Sequence, residues 1–156
     1  MNIFNEEQKS FLVLLLIYEV EFIIVGGVSV IYHGYVRTTG DLDLWVEPSN
    51  DNKKKLIPAI RAAGISEESI TILDSKDFTK AIAFHFNQPP NRIEMLTHIS
   101  GLNFQEARQR CECLEMEHQQ VPLLAYDDLI TNKLMTGRLK DKADVEELQK
   151  IHRYRE

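Results

Sequence analysis

The sequence predicts an α+β fold, in which a small mixed β-sheet is flanked by helices and followed by a C-terminal helical segment. Short apolar runs that end at Gly or Pro indicate strands, and apolar residues at spacings of three and four indicate helices. The last third of the chain shows the helical pattern. The 156 residues fit a single domain, which we expect to divide into a sheet-containing core over about 1–125 and helices over about 126–156.

The first elements are a helix, a buried strand and a second, short helix. Asn5 and Gln8 form a capping-box pattern ahead of an apolar stripe, which predicts a helix over about 6–19. The apolar run Phe22–Val25 stops abruptly at two glycines, as a buried strand would. A short helix over about 28–33 is expected to follow, and a further glycine ends it.

The next strand carries acidic residues on one face. Asp41–Val46 begins with alternating acidic and apolar side chains, and Pro48 closes it. Ser49 or Asn50 can cap a third helix, which has an apolar stripe and ends at Gly64. The rest of the chain predicts further strands and two helices. These are strands over about 81–86, 92–96, 111–116 and 121–124, and helices over about 127–139 and 141–152.

The charge distribution limits the classes of partner. A formal net charge of −6 disfavours a broad nucleic-acid surface, because such binding depends on neutralising many phosphates. The segment Lys133–Lys142 nevertheless contains four basic residues and one acidic residue. A polyanion would therefore be expected at this segment.

The hydropathy pattern predicts no association with a membrane. The long apolar run Phe11–Tyr18 has eight residues, far fewer than the roughly 20 that cross a bilayer. The acidic residues Glu6 and Glu7 precede it and no small-residue cleavage site follows, which argues against a signal peptide. We therefore expect a cytoplasmic protein.

Gly26 and Gly27 stand between the first strand and the short helix that follows it. Glycines let backbone amides approach phosphate oxygens closely, and the N-terminus of a helix favours negative charge. Glycine pairs are also common in purely structural turns. The pair therefore indicates a phosphate-binding turn only in combination with the acidic residues that come after it.

Asp41 and Asp43 share one face of the second strand, where like charges repel. A hard divalent cation such as Mg²⁺ would compensate this charge, and a solvated strand face is the alternative. Glu94 lies between apolar neighbours in its own strand, which an exposed edge position would also explain. If the two strands are neighbours, the three carboxylates converge and can bridge two metals about 3.5–4 Å apart.

These residues carry a family resemblance. The stretch Val25–Leu44 reads VGGVSVIYHGYVRTTGDLDL and resembles the signature of the polymerase-beta-type nucleotidyltransferase superfamily. In that signature a Gly-Gly or Gly-Ser turn precedes a paired acid on the next strand. The segment Leu129–Leu148 resembles the helical part of bacterial AbiEii-like nucleotidyltransferases, many of which are toxins of toxin–antitoxin pairs. The resemblance implies a nucleotidyltransferase fold.

The resemblance also implies roles for residues of the sheet. Asp41 and Asp43 would bind the metal, Mg²⁺ or Mn²⁺, and the nucleoside triphosphate. Glu94 would take the third-acid position, which more often holds Asp. Gly27 replaces a serine that many members have, so backbone amides would cradle the phosphates, and Ser29 is near enough in the sequence to offer them a hydroxyl.

Further roles fall on basic and helical residues. By the resemblance, Lys133 would contact the nucleotide phosphates, and Asp141 would complete the site, with Asp144 as a competitor for that role. Arg37 precedes Asp41 by four residues; its guanidinium suits the triphosphate, although it can instead pair with a nearby acid.

The expected reaction is transfer of a nucleoside monophosphate from a triphosphate, such as ATP, to a hydroxyl acceptor. The acceptor stays open at this point. An RNA end such as that of tRNA, a partner toxin that a minimal nucleotidyltransferase antitoxin adenylylates, and a small molecule all suit the same chemistry. A nucleotide-binding module without turnover is a further alternative.

Overall fold

The computed structural model describes residues 3–37 and 39–155. The expected domain boundaries, residues 1 and 156, lie outside these ranges. The described residues form seven helices and a six-stranded sheet. The helices are α1 (Glu6–Ile17), α2 (Gly26–Tyr32), α3 (Asn50–Ala62), α4 (Glu67–Asp74), α5 (Phe104–Arg110), α6 (Tyr126–Thr136) and α7 (Leu139–Arg155). The strands are β1 (Phe22–Val25), β2 (Asp41–Val46), β3 (Ala83–Phe86), β4 (Arg92–Leu96), β5 (Glu112–Met116) and β6 (Gln119–Leu123).

The sheet is mixed and has the strand order β3-β4-β2-β1-β6-β5. β2 lies at its centre, antiparallel to β1 and parallel to β4. β1 also pairs in parallel with β6, and the two outer pairs, β3 with β4 and β5 with β6, are antiparallel. A mixed sheet with flanking helices confirms the predicted α+β class.

Each face of the central strands packs against its own group of helices. Leu42 and Leu44 of β2 join the apolar core formed with α1, α3 and α4. Trp45 points to the opposite face, where it packs edge-on against Phe104 of α5 in a second core shared with α6 and α7. Because β2 alternates between two cores, its side-chain register is strongly specified.

Helix α1 has a strong signal in the sequence, whereas α4 and α5 have weak ones. The capping box at α1 is present as expected: the Asn5 side chain accepts from the Gln8 backbone amide, and the Gln8 side chain accepts from that of Asn5. Helices α4 and α5 were not predicted. Each is short and buries two side chains, Ile70 and Leu73 in α4 and Phe104 and Ala107 in α5, which is too little apolar periodicity to detect.

Within residues 3–37 and 39–155, none of the helices combines the length and the hydropathy that a bilayer crossing requires.

Candidate active site

The register between β2 and β4 aligns the acidic residues. Asp43 is the direct partner of Glu94, and Asp41 is the partner of Arg92. Since neighbouring parallel strands alternate in phase, partners project from the same face of the sheet. The residues between them, such as Leu42 and Ile93, point into the opposite core. Burial of the intervening apolar residues therefore fixes the direction of the acids.

The three carboxylates converge at one end of this face. Asp41, Asp43 and Glu94 each offer one oxygen, and these oxygens all lie within 4.8 Å of one another. All three residues are half-buried. They line a cleft of about 370 Å³, whose other wall includes Lys133 and Asp141. The cleft therefore has an acidic floor and a wall formed by the C-terminal helices.

The two glycines bring the start of α2 against Asp43. The helix begins directly at Gly26, so the separate turn expected between strand and helix is replaced by the first turn of the helix itself. Gly26 has φ +68°, and a Cβ there would overlap the Asp43 carboxylate. A Cβ at Gly27 would lie 2.5 Å from Oγ1 of Thr39. Glycine is needed at both positions because the backbone, at each of them, approaches a neighbouring side chain.

The surroundings of Asp43 disfavour the charged form of its carboxyl group. Burial raises its pKa most, and the charges of Glu94 and Asp41 raise it further. A hydrogen bond from the Gly27 backbone and the charge of Arg92 oppose this rise, and the pKa reaches about 6. At neutral pH the charged carboxylate is therefore held at a cost in free energy, which a bound cation would offset.

Arg92 contacts the acid cluster, which consists of Asp41, Asp43 and Glu94. The sequence analysis did not identify this arginine. Its Nη1 donates to Oδ2 of Asp41 at 2.8 Å, and its Nη2 lies 3.6 Å from Oε2 of Glu94. The signal was present, because Arg92 and Glu94 are two residues apart in one strand and so share a face. A basic residue at that spacing from a candidate ligand predicts an internal counter-ion.

The opposite wall is built around a buried lysine. Lys133 of α6 is 6% exposed, and its Nζ lies 2.9 Å from Oδ1 of Asp141 and 3.0 Å from Oδ2 of Asp144 in α7. Burial would raise the pKa of Asp141, but hydrogen bonds from Thr136, Lys133 and Arg138 outweigh this effect and lower it to about 2. Both aspartates therefore engage Lys133, which joins the two C-terminal helices.

Arg37 extends this network to the segment between α2 and β2. Its Nη2 donates to Oδ2 of Asp144 at 3.2 Å, and its side chain also lines the cleft. The alternative expected for Arg37, pairing with an acid, is therefore what the structure shows. Asp144 takes the shared position between Arg37 and Lys133, whereas Asp141 lines the cleft.

Ser29 does not reach the cleft. It is fully buried, and its hydroxyl donates to the backbone carbonyl of Gly26 at 2.6 Å. The predicted contact with phosphate would require this hydroxyl at the surface of the cleft, and it lies inside the first turn of α2 instead. Ser29 therefore stabilises the backbone at Gly26 from the buried side of α2.

Other cleft residues come from the loop after β4, from α6 and from the basic segment that was expected to bind a polyanion. His98 and Ser100 follow β4, and Asn132, Arg138 and Lys140 come from the α6–α7 region. Asn132 donates to the Ser100 carbonyl at 3.0 Å, which ties the loop to α6. Only the folded arrangement reveals that the loop after β4 and the α6–α7 region share one wall of the cleft.

A mixed sheet that gathers three acids beside a diglycine segment is the arrangement of a nucleotidyltransferase-type fold. The family model described as "nucleotidyltransferase of unknown function (DUF6036)" matches residues 6–154. The chain belongs to this family. No curated protein matches the chain. The narrower resemblance to AbiEii-like proteins stays a prediction.

Replacement of Gly26 by Ala should destabilise the protein. The new Cβ would collide with the Asp43 carboxylate, and the positive φ adds backbone strain, so we expect a loss of about 2–4 kcal/mol in urea unfolding. Gly137→Ala is the matched control, because Gly137 has φ +70° and no atom within 4 Å of the added Cβ. Equal losses in the two variants would show that contact with Asp43 is unimportant.

Asp43→Asn should stabilise the metal-free protein at pH 7.5. A folded-state pKa of about 6, against an ordinary 3.8, means that the folded protein binds more protons between these values and loses stability as the pH rises through them. The variant should lack this loss and gain about 1–3 kcal/mol at pH 7.5.

Urea unfolding in EDTA at pH 4.5 and 7.5 measures this difference for Asp43→Asn. The exposed Asp51, in the first turn of α3, supplies the control Asp51→Asn. Added Mn²⁺ should raise the melting temperature of the parent and not that of Asp43→Asn. A variant no more stable than the parent at pH 7.5 would contradict the expected cost of the charge.

Asp141→Asn should destabilise the protein in a pH-dependent manner. The low folded-state pKa of about 2 means that the stabilisation is present above the ordinary value and is lost as the pH falls through the folded value. We expect a loss of about 2–4 kcal/mol at pH 7 and a smaller difference at pH 3, both measured by urea unfolding. Asp127→Asn, at an exposed site in α6, should show neither effect.

Proposed function

We propose that the chain is a metal-dependent nucleotidyltransferase that moves a nucleoside monophosphate from a triphosphate, such as ATP, to a hydroxyl acceptor. One observation carries this proposal: the carboxylate oxygens of Asp41, Asp43 and Glu94 lie within 4.8 Å of one another in a cleft beside Gly26 and Gly27. Membership of a nucleotidyltransferase family supports the same class of reaction.

The donor set fits a hard divalent cation. The three oxygens belong to carboxylates, which suit Mg²⁺ or Mn²⁺ far better than soft metals. The raised pKa of Asp43 supports this fit, since the cluster holds negative charge that it does not fully neutralise itself. A bound cation would lower the pKa of the acceptor hydroxyl and neutralise charge on the departing pyrophosphate.

The residues of the chain would divide the remaining work. A bond forms between the acceptor oxygen and the α-phosphorus while the bond from that phosphorus to pyrophosphate breaks. Glu94 would accept the proton of the hydroxyl. Gly26 and Gly27 line the cleft, where their backbone would approach phosphate oxygens, and Arg37 and Lys133 supply positive charge to the cleft wall.

Asp144 already pairs with the two basic side chains that would contact the triphosphate. It binds both Arg37 and Lys133, at 3.2 and 3.0 Å. Phosphate oxygens that enter the cleft would share these donors with Asp144, because Arg and Lys have several donor groups each. Lys133 and Arg37 would thus stay anchored while they contact the nucleotide, and Asp141 would keep Lys133 in place.

The basic residues of the α6–α7 region favour RNA as the acceptor, with an end such as that of tRNA as the example. Arg138 and Lys140 line the cleft, and Lys142 is exposed in the same stretch. Such a cluster attracts phosphates without reading sequence. An acceptor protein, such as a partner toxin or antitoxin, is the second candidate. It is favoured by the exposed side chains of Leu134, Met135 and Leu139 in the same region.

Label transfer tests the reaction. A triphosphate labelled at the α-phosphate should label RNA or protein with Mg²⁺ or Mn²⁺ present, and Glu94→Gln and Asp43→Asn should each lower the rate on the order of 100-fold or more. Glu115→Gln is the matched control, since Glu115 is an exposed acid in β5 at the far edge of the sheet. It should retain the parent rate.

The recovered label also decides the acceptor. Sensitivity to ribonuclease identifies RNA, and sensitivity to protease identifies a protein. Triphosphate binding by calorimetry, without label in any acceptor, would show a binding module that lacks turnover. Equal activity of Glu94→Gln and the parent would overturn the assignment of the acid cluster.

A further inference from the structure

Arg92 contacts two members of the acid cluster directly. It donates to Oδ2 of Asp41 at 2.8 Å and lies 3.6 Å from Oε2 of Glu94. A single guanidinium therefore contacts two of the three carboxylates.

Arg92 reaches the acids from outside the substrate cleft. The described residues that line the cleft include Asp41, Asp43 and Glu94 and do not include Arg92. The basic residues that do line it come from the loop before β2 and from the α6–α7 region. Arg92 is thus placed to act on the carboxylates.

The contacts of Arg92 have two opposing effects on a cation. The hydrogen bond to Asp41 orders one carboxylate, which favours binding by lowering the cost of arranging the ligands. The positive charge beside Asp41 and Glu94 repels a divalent cation at the same oxygens, and this repulsion is strong because the group is half-buried. The ordering of Asp41 restricts only two side-chain torsions, so its favourable effect on cation binding is small. We therefore expect the repulsion between Arg92 and the cation to dominate.

We propose that Arg92 is a positioning residue that serves as an internal counter-ion of the acid cluster and weakens its binding of a lone divalent cation. This inference rests on the proposed metal site. In the metal-free protein Arg92 stabilises the three neighbouring acids, because it reduces their mutual repulsion. When a cation binds, the same charge opposes it.

Titration of Mn²⁺ alone into metal-free protein tests this role without nucleotide or turnover. Arg92→Gln removes the charge and should bind Mn²⁺ about tenfold more tightly than the parent. Arg92→Lys keeps the charge and should bind within about twofold of the parent. Calorimetry gives the dissociation constants, and Glu94→Gln, which loses a ligand, should bind more weakly than the parent.

Thermal melting supplies a second readout. Arg92→Gln should melt below the parent in EDTA, where the acids repel, and should gain more from saturating Mn²⁺ than the parent gains. A surface ion pair that only stabilises the fold would lower both melting temperatures equally. That equal loss would overturn the proposal.

The outcomes separate this proposal from the metal site on which it rests. Equal or weaker Mn²⁺ binding by Arg92→Gln, with binding retained in the parent, would overturn the role of Arg92 alone. Tighter binding by Arg92→Lys as well would overturn it too, since charge would not be the cause. If neither the parent nor Arg92→Gln binds Mn²⁺, the metal site itself fails.

Discussion

The parallel pairing of β2 with β4 is the constraint on which the site depends. It sets Asp43 opposite Glu94, and the apolar residues between the acids anchor that register in the core beneath them. A slip of one residue would exchange the faces of a whole strand and bury its acids. The position of the acids is therefore maintained by hydrophobic burial, even though the acids repel one another.

Two charge clusters of different character face each other across the cleft. The three acids on the sheet are half-buried and Arg92 contacts two of them, and three carboxylates beside one guanidinium carry excess negative charge. On the opposite wall, three basic residues pair with the carboxylates of Asp141 and Asp144; they are Lys133, Arg37 and Arg138. The first cluster is suited to hold a cation, and the second is suited to keep basic side chains in place.

Local patterns were sufficient to predict the central strands, the first helix and the acidic residues. Each of these rests on short-range signals: a capping box, an apolar run, or the alternation of Asp41 and Asp43 with leucines. The sequence predicts the alignment of Glu94 with Asp43 only if their two strands are neighbours. The two residues are 51 positions apart, and local patterns do not show which strands pair. The same holds for Lys133, whose two partners lie in a different helix.

The departures from prediction share a physical cause. Ser29 was expected at phosphate because of its place in the sequence, but the helix begins two residues earlier than expected, at Gly26, and turns the hydroxyl inward. Arg92 was overlooked because basic residues in strands are usually solvated. The partner of Ser29 is the backbone carbonyl of Gly26, and the nearest partner of Arg92 is Asp41 on another strand. Neither contact can be read from a local sequence pattern.

The route of the chain between β2 and β4 has a consequence for how the protein matures. Helices α3 and α4 and strand β3 all lie between the second and third acids along the chain. A growing polypeptide that has completed only β1 and β2 therefore carries an aspartate pair without its glutamate or its arginine. The three acids can therefore converge only when β4 has docked beside β2, so the complete acid cluster forms only after the intervening helices and strand β3 have been made.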